Sequence, residues 1–307
     1  MEQELIVTEP LISVILPAYN YAHSLPRAVE SVLAQLGDNR ELLVIDDGST
    51  DSSPAVLQAL LAKHPGCFRM IRKANGGASS ARNLGIASSR GQYLVFLDAD
   101  DALVNGALDA LEAHLSAHRD SRLVIGGYYS VWGDGRMREH IPAGLSASPF
   151  ERLRAYLLEK RVSLSNGACA MHRDVFAYGL YPENFRSAED IPVFAQALAN
   201  FPCSTLKQPL AMIYKHADSL RHQFVFDQAN GLTLVDEVFS EKRLGSGFQA
   251  LKIPYSVQRC LSLFRSAYLA GHRPAAKYFF IEAFKRDWRV LLKGSYARKA
   301  VRVWTGR

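Results

Sequence analysis

The chain has 307 residues, 48% hydrophobic and 21% charged, enough apolar material for one large core plus an appendage, which excludes disorder. No apolar run approaches the ~18 residues of a membrane span, and the first residues lack the basic and apolar regions of a signal peptide. The net charge of +6 is uneven: Arg273 to Arg307 holds ten Lys/Arg against two acids, leaving −2 for the first 272 residues. That asymmetry argues against a nucleic-acid binder and for a basic segment that meets an anionic surface.

In chain order, Leu11 to Leu16 is a continuous apolar run of the kind a strand buried on both faces requires. Leu25, Val29, Val32, Leu33 and Leu36 then recur at helical spacing up to Gly37. Glu41 to Ile45 reads as a second strand, Val56 to Leu61 as a second helix, and Phe68 to Ile71 as a weaker strand. Ser79 to Ala87 reads as a helix and Tyr93 to Leu97 as a strand. This alternation predicts parallel βαβ units, an α/β sheet covered on both faces. After Asp101 the texture becomes α+β and reads as an addition. It has a helix from Ala107 to His118, an apolar stretch from Leu123 to Ile125 and a hairpin turn at Gly133 to Gly135. Helices follow at about Phe150 to Lys160 and Pro192 to Asn200, and from about Phe224 the pattern is helical only. Cys67, Cys169, Cys203 and Cys260 are widely spaced without a CxxC pair, which points to a reducing compartment, the cytoplasm.

In an open parallel sheet, ligands bind beyond the carboxyl ends of the strands. The first strand runs into Pro17, Ala18, Tyr19 and Asn20, the second into Asp46-Asp-Gly-Ser-Thr-Asp51, and the fourth into Asp98, Ala99, Asp100 and Asp101. Asn75-Gly-Gly-Ala-Ser-Ser-Ala-Arg-Asn-Leu-Gly85 lies between them. Each has a plain alternative: a turn with a helix cap at Asp46 to Asp51, a solvated acidic loop at Asp98 to Asp101, a surface arginine at Arg82. The functional reading is that Asp98 and Asp100 share one face of extended chain and take a hard cation such as Mg²⁺ or Mn²⁺. The start of the helix after Gly76 and Gly77 would admit phosphate oxygens. Dinucleotide, P-loop, zinc-protease and nucleophile-elbow signatures are absent.

In their order, these motifs together with Glu189 and Asp190 resemble the family 2 glycosyltransferases of GT-A fold, densely over about residues 10–105 and recognisably to about 220. The resemblance implies an α/β nucleotide-diphospho-sugar transferase fold over residues 1–222, with a nucleotide-binding half at about 10–105 and an acceptor-side half at 106–222. Residues 223–307 would form a helical, basic extension. It implies an inverting, metal-dependent enzyme that takes a UDP- or dTDP-sugar and a saccharide or lipid-linked acceptor, in lipopolysaccharide or other cell-surface polysaccharide assembly. Pro17, Ala18, Tyr19, Asn20, Asp47, Arg82, Asp98 and Ala99 would bind the donor, and Asp100 the Mg²⁺ or Mn²⁺, with Asp98 and His216 as further metal candidates. Asp190 would be the catalytic base.

From the residues alone, Asp190 is equally an N-cap for a helix beginning near Pro192, and the resemblance favours the base. His216 is either a ligand near the diphosphate or a structural histidine. Glu189, Trp132, His172 and His140 are acceptor-side candidates. The basic segment is expected to pack Phe279, Phe284 and Trp288 on the catalytic body. Beyond Trp288 it would present aromatic residues and cations to the inner face of a membrane as a peripheral element. Two rival classes share the plan: a sugar-nucleotide pyrophosphorylase, which would open with a glycine- and arginine-rich loop lacking here, and a non-catalytic sugar-binding protein, which would be expected to lose Asp100 or Asp190.

Overall fold

Alternate side chains of the first strands enter two different cores, as a strand buried on both faces demands. In strand β1 (Ile12–Ala18) Ile12, Val14 and Leu16 pack on one side and Ile15 on the other. The same split divides Leu42 and Val44 from Leu43 and Ile45 in β2 (Arg40–Asp46), and Val95 from Leu94 and Phe96 in β4 (Tyr93–Phe96). With β3 (Arg69–Arg72) these strands run parallel in the order β3-β2-β1-β4. Helices α1 (Leu25–Leu33), α2 (Ser53–Lys63) and α4 (Ala107–Ala117) cover one face. Helix α3 (Ala78–Ser88) and α6 (Asp190–Asn200) cover the other. The computed structural model of the protein describes residues 9–215 and 231–305.

The chain moves outward from β1 to β3 and returns to the other side of β1 with β4. A crevice therefore opens between the carboxyl ends of β1 and β4, the switch point where such sheets place ligands. Pro17 fits this geometry. β1 pairs with β4 only as far as Ile15, so the missing N–H of proline breaks no bond on that side.

The second half is not a separate addition. Strands β5 (Ala102–Leu103), β6 (Leu123–Trp132), β8 (Cys169–His172) and β9 (Cys203–Lys215) extend the same sheet as β4-β8-β6-β9-β5, and β7 (Met137–His140) forms the expected hairpin with β6. β8 is antiparallel to both β4 and β6, so β6 ends at the same edge as β4. The long strand β9 escaped the sequence reading because Lys207, Gln208 and Pro209 interrupt its apolar pattern. The register against β6 shifts around Gly126 and Gly127 at that point. Helix α6 begins at Asp190, two residues before the expected start. Pro192 is its third residue, where an N–H has no intrahelical partner to lose.

Helices α5 (Pro149–Leu157), α6, α7 (Thr233–Val238) and α8 (Glu241–Leu244) share a core of Leu153, Ala195, Leu234, Val238 and Leu244. Beyond it, α9 (Lys252–Leu269), α10 (Arg273–Arg286) and α11 (Gly294–Thr305) build their own core around Phe264, Phe279 and Phe280. This corrects the expected packing of the basic segment. Phe279 is buried, but against α9 rather than the sheet, while Phe284 and Trp288 are 43% and 62% exposed. After Trp288 the chain is not wholly surface: Val290, Ala300 and Val303 complete the helical core.

Gly85 holds α3 against β1, since a Cβ there would collide with the Cγ2 of fully buried Ile15. Gly85→Ala is expected to cost about 1–3 kcal/mol through overpacking, read as a lowered midpoint in thermal or urea unfolding.

Candidate active site

The loops after β1 and β2 are stapled together by Asn20, whose backbone is left-handed with φ 60°. Its side-chain carbonyl accepts the N–H groups of Thr50 (2.8 Å) and Asp51 (3.2 Å), and its own N–H donates to Ser49 Oγ at 3.0 Å. Asn20 is therefore occupied in loop geometry. Its neighbour Tyr19 is exposed at the mouth of the crevice, and Ala18 closes the buried end of β1.

Asp47 is buried, and its carboxylate accepts from Lys73 Nζ (2.7 Å) and from the backbone N–H groups of Gly76 (3.0 Å) and Gly77 (2.7 Å). The expected phosphate seat at the start of α3 is thus filled by an internal carboxylate, the anion that a helix N-terminus favours. Gly77, at φ 91°, is also closed over by Arg186, whose guanidinium lies where a Cβ would sit.

Arg82, on α3, is buried between two acids. Its Nη2 donates to Asp98 Oδ1 at 2.8 Å and its Nη1 to Glu189 Oε1 at 2.7 Å, with the Tyr181 ring centroid 5.3 Å away. Burial opposes its charge, yet Asp98 and Glu189 together hold its pKa above the ordinary arginine value. Both ends of the guanidinium fork are taken, so Arg82 ties the acidic turn to the start of α6. The next residue, Asn83, accepts from the Tyr181 N–H (3.0 Å) and donates to the Tyr181 carbonyl (2.9 Å), fixing the approach to α6.

At the start of α6, Glu189 occupies the capping position without making a side-chain cap, and Asp190 is the first helical residue. Asp190 thus stands in the first turn, where a carboxylate is favoured, rather than at the capping position. Burial raises the phenols of Tyr156, Tyr181 and Tyr255 and the thiol of Cys169, and the charge of Asp190 raises each further. Asp190 thus lies beside an aromatic, poorly solvated wall. Through Glu189 and Arg82 it is linked to Asp98.

Asp98, Ala99, Asp100 and Asp101 turn sharply after β4, the Asp101 N–H donating to the Asp98 carbonyl at 3.0 Å. Burial, then Asp98 and Asp100, raises the pKa of Asp101, whose carboxylate accepts the Tyr214 N–H at 2.9 Å. Burial and the charges of Asp100 and Asp98 likewise push the Tyr21 hydroxyl up to about 12. Arg27 reaches in from α1, donating to the Asp100 carbonyl while its guanidinium lies 3.6 Å from the centroid of the Tyr214 ring. Sequence reading gave Tyr21, Arg27 and Tyr214 no part, and Asp101 only a place in the acidic cluster after the fourth strand.

This concentrated negative field fits a divalent cation. Among the described residues no three carboxylate, imidazole or thiol groups are placed to hold one unaided. That agrees with the habit of Mg²⁺, which takes one or two carboxylates and completes its shell with substrate phosphate and water. Asp98 and Asp100 are the residues suited to that part.

Trp132 ends β6 on the side towards which β4 also runs, but about five residues further out than the level of Asp98, with Arg136 at 5.6 Å from its ring centroid. His140 stacks on Tyr128 at 4.5 Å and meets Ser130 Oγ at 3.1 Å; burial, Arg138 and Lys215 lower its pKa. His172 departs from expectation. It pairs with Tyr93 at the start of β4, five residues or about 16 Å from Asp98, and contacts Asp174 at 3.1 Å. It therefore lies off the site. His216 is outside the described residues.

Arg82→Met would leave Asp98 and Glu189 facing each other without a cation. The expected loss is on the order of 3 kcal/mol, the low end of the range for a broken buried pair because Asp98 is partly solvated. Urea unfolding would measure it.

Comparison with known proteins bears on the family and the fold. The sequence model of glycosyl transferase family 2 matches residues 13–179. Glycosyltransferase GlyG of Streptococcus pneumoniae is 34% identical over 120 residues, 39% of this chain and 40% of its own. Such matches span about a quarter to a half of the relatives' length, from 24% to 54%. Among solved structures, S. aureus TarS 1–349 in complex with UDP-GlcNAc superposes with a TM-score of 0.61 at 16% identity, over 90% of this chain and 88% of that one. Mannosyltransferase PcManGT from Pyrobaculum calidifontis, in complex with GDP-Man and Mn²⁺, gives 0.56 at 17% identity over 97% and 88%. With this GT-A-like sheet, its carboxylate-lined crevice and a family match over more than half its length, the chain is a member of glycosyl transferase family 2.

Proposed function

We propose that this glycosyltransferase moves a sugar, with inversion, from a UDP- or dTDP-sugar to a hydroxyl group of a saccharide or lipid-linked acceptor in the assembly of lipopolysaccharide or another cell-surface polysaccharide. The observation that carries the reading is the Asp98–Arg82–Glu189 bridge, which holds the acidic loop and the Glu189–Asp190 pair across one crevice. The nucleotide sugars bound by TarS and PcManGT support a nucleotide-diphosphate sugar as donor, and the UDP-GlcNAc of TarS a uridine one. Residues to about 222 would carry the transfer and residues 223–307 a basic helical extension. The protein would work in the cytoplasm at the inner face of the cell membrane, meeting lipid through those helices.

In this mechanism the acceptor oxygen bonds to the anomeric carbon as the bond from that carbon to the diphosphate oxygen breaks. One carboxylate suffices, because a single displacement needs no covalent intermediate. Asp190 takes the acceptor proton; it is half-buried, so a substrate hydroxyl can reach it, and its charge is felt by Tyr156 and Tyr181. Exposed Tyr19 offers a ring to the nucleotide base, and Trp132 one to the acceptor sugar. Asp98 and Asp100 would hold Mg²⁺ or Mn²⁺, whose chemistry is to neutralise charge on the departing diphosphate. Arg82 and Glu189 keep these groups in register.

Release of nucleotide diphosphate from a panel of UDP- and dTDP-sugars, with Mn²⁺ and with or without acceptor, tests the reading. Asp190→Asn keeps the shape but accepts no proton, so kcat should fall about 10²- to 10⁴-fold with donor affinity retained. Equal turnover in variant and parent would remove Asp190 from the mechanism.

A nucleotide diphosphate with Mn²⁺ at 100 times its Kd should stabilise the parent by about 2.7 kcal/mol. Asp100→Ala should lose that thermal shift together with turnover. A full shift and full turnover in the variant, or in the parent with EDTA, would sink the metal assignment.

A further inference from the structure

We propose that the C-terminal helices dock the protein on an anionic lipid bilayer through a preformed apolar cleft that takes a lipid hydrocarbon chain. This deepens the membrane-surface reading given above and rests on it. Between α10 and α11 lies a cleft of about 370 Å³ lined only by apolar side chains, among them Phe280, Ile281, Phe284, Leu291, Val301 and Trp304. Trp288 and Leu292, in the same short helical turn as the lining residue Leu291, are 62% and 72% exposed. So much large apolar surface in one place marks an interaction site.

The floor is fixed rather than induced. Val290, Ala300 and Val303 anchor the two walls in the helical core, and Phe280 meets Trp304 edge-on at 5.8 Å. The surrounding charge identifies the occupant. Nine Lys/Arg and only two acids lie between Arg273 and Arg302; Glu282 pairs with Lys285 and Arg286 and Asp287 with Arg289, so the segment keeps an excess of cations, of which Lys277 Nζ stands 5.7 Å from the Trp304 ring centroid. A second copy of this chain would bring cations onto like cations. A nucleic acid would satisfy the cations but leave Ile281, Leu291 and Val301 in water. A bilayer with acidic headgroups meets both demands, phosphate at the cations and hydrocarbon in the cleft.

The full chain is tested by sedimentation with vesicles of phosphatidylglycerol and phosphatidylcholine against vesicles of phosphatidylcholine alone. The parent should bind the anionic vesicles at least about tenfold more tightly, with part of that binding surviving raised salt. Val301→Glu and, separately, Leu292→Glu place a carboxylate on exposed positions, so folding should be kept, as circular dichroism melting would show. Each should weaken binding about tenfold or more. Equal binding to both vesicle types, no binding, or binding untouched by both variants would overturn the proposal. So would a parent dimer that Val301→Glu dissociates, since the face would then belong to a second copy. Nucleotide diphosphate release to a water-soluble acceptor separates this from the transferase reading. Val301→Glu should keep it, and Asp100→Ala should lose it while still sedimenting with anionic vesicles.

Discussion

The buried guanidinium of Arg82 is the charge around which the two halves of the molecule close. It leaves α3 in the nucleotide half and is met by Asp98 after β4 and by Glu189 before α6. An arginine taken this far from water is tolerable only when its charge and its fork of donors are matched. Neither carboxylate alone would do that, so the turn carrying Asp98 and the start of α6 must arrive together. Asn83, one residue on, fastens the Tyr181 segment to the same helix. The candidate base at Asp190 inherits its place from this packing, because it follows Glu189 directly.

A second constraint is the mutual repulsion in the acidic turn. Asp98, Asp100 and Asp101 are held within a few residues by backbone bonds that do not depend on charge, and burial of Asp101 amplifies their conflict. Arg82 meets Asp98 and the charge of Lys215 opposes the rise at Asp101, while Arg27 gives its guanidinium to a backbone carbonyl and the Tyr214 ring. Negative charge gathered in one turn by the fold is the kind of preorganised field a ligand can use. The contrast with Asp47 is instructive. Its carboxylate is fully satisfied by Lys73, Gly76 and Gly77 and therefore shapes the loop.

The strands and the switch point were legible because they rest on local rules: buried parallel strands must be apolar throughout, and polar clusters at their ends must then converge. The roles of single residues were less so, because a side chain has one sequence and many conceivable partners. Arg82 and Glu189 are 107 positions apart, and nothing in the spacing announces the pair. His172 ends a strand antiparallel to β4, and strand direction, which decides the edge a strand end occupies, is not written in the local sequence. β9 was hidden by a polar interruption that is a register shift in space. The helix that starts at Asp190 rather than Pro192 shows how proline marks a helix start only to within its first turn.

The C-terminal helices show the limit of reading an amphipathic pattern residue by residue. Phe279 and Phe284 look alike in sequence, yet one is buried and the other lines an open cleft, because α9 covers only part of the surface of α10. The core that decides this contains no residue of the two cores flanking the sheet. Substitutions at exposed positions on that face share no partner with the Asp98–Arg82–Glu189 bridge, and energetic effects at sites without shared partners add. A change on the apolar face should therefore leave the crevice chemistry intact, whereas loss of Val290 or Val303 would unfasten the face itself. Removing the segment after Arg289 thus deletes structure as well as surface, which makes substitution on the exposed positions the cleaner probe of what the helices bind.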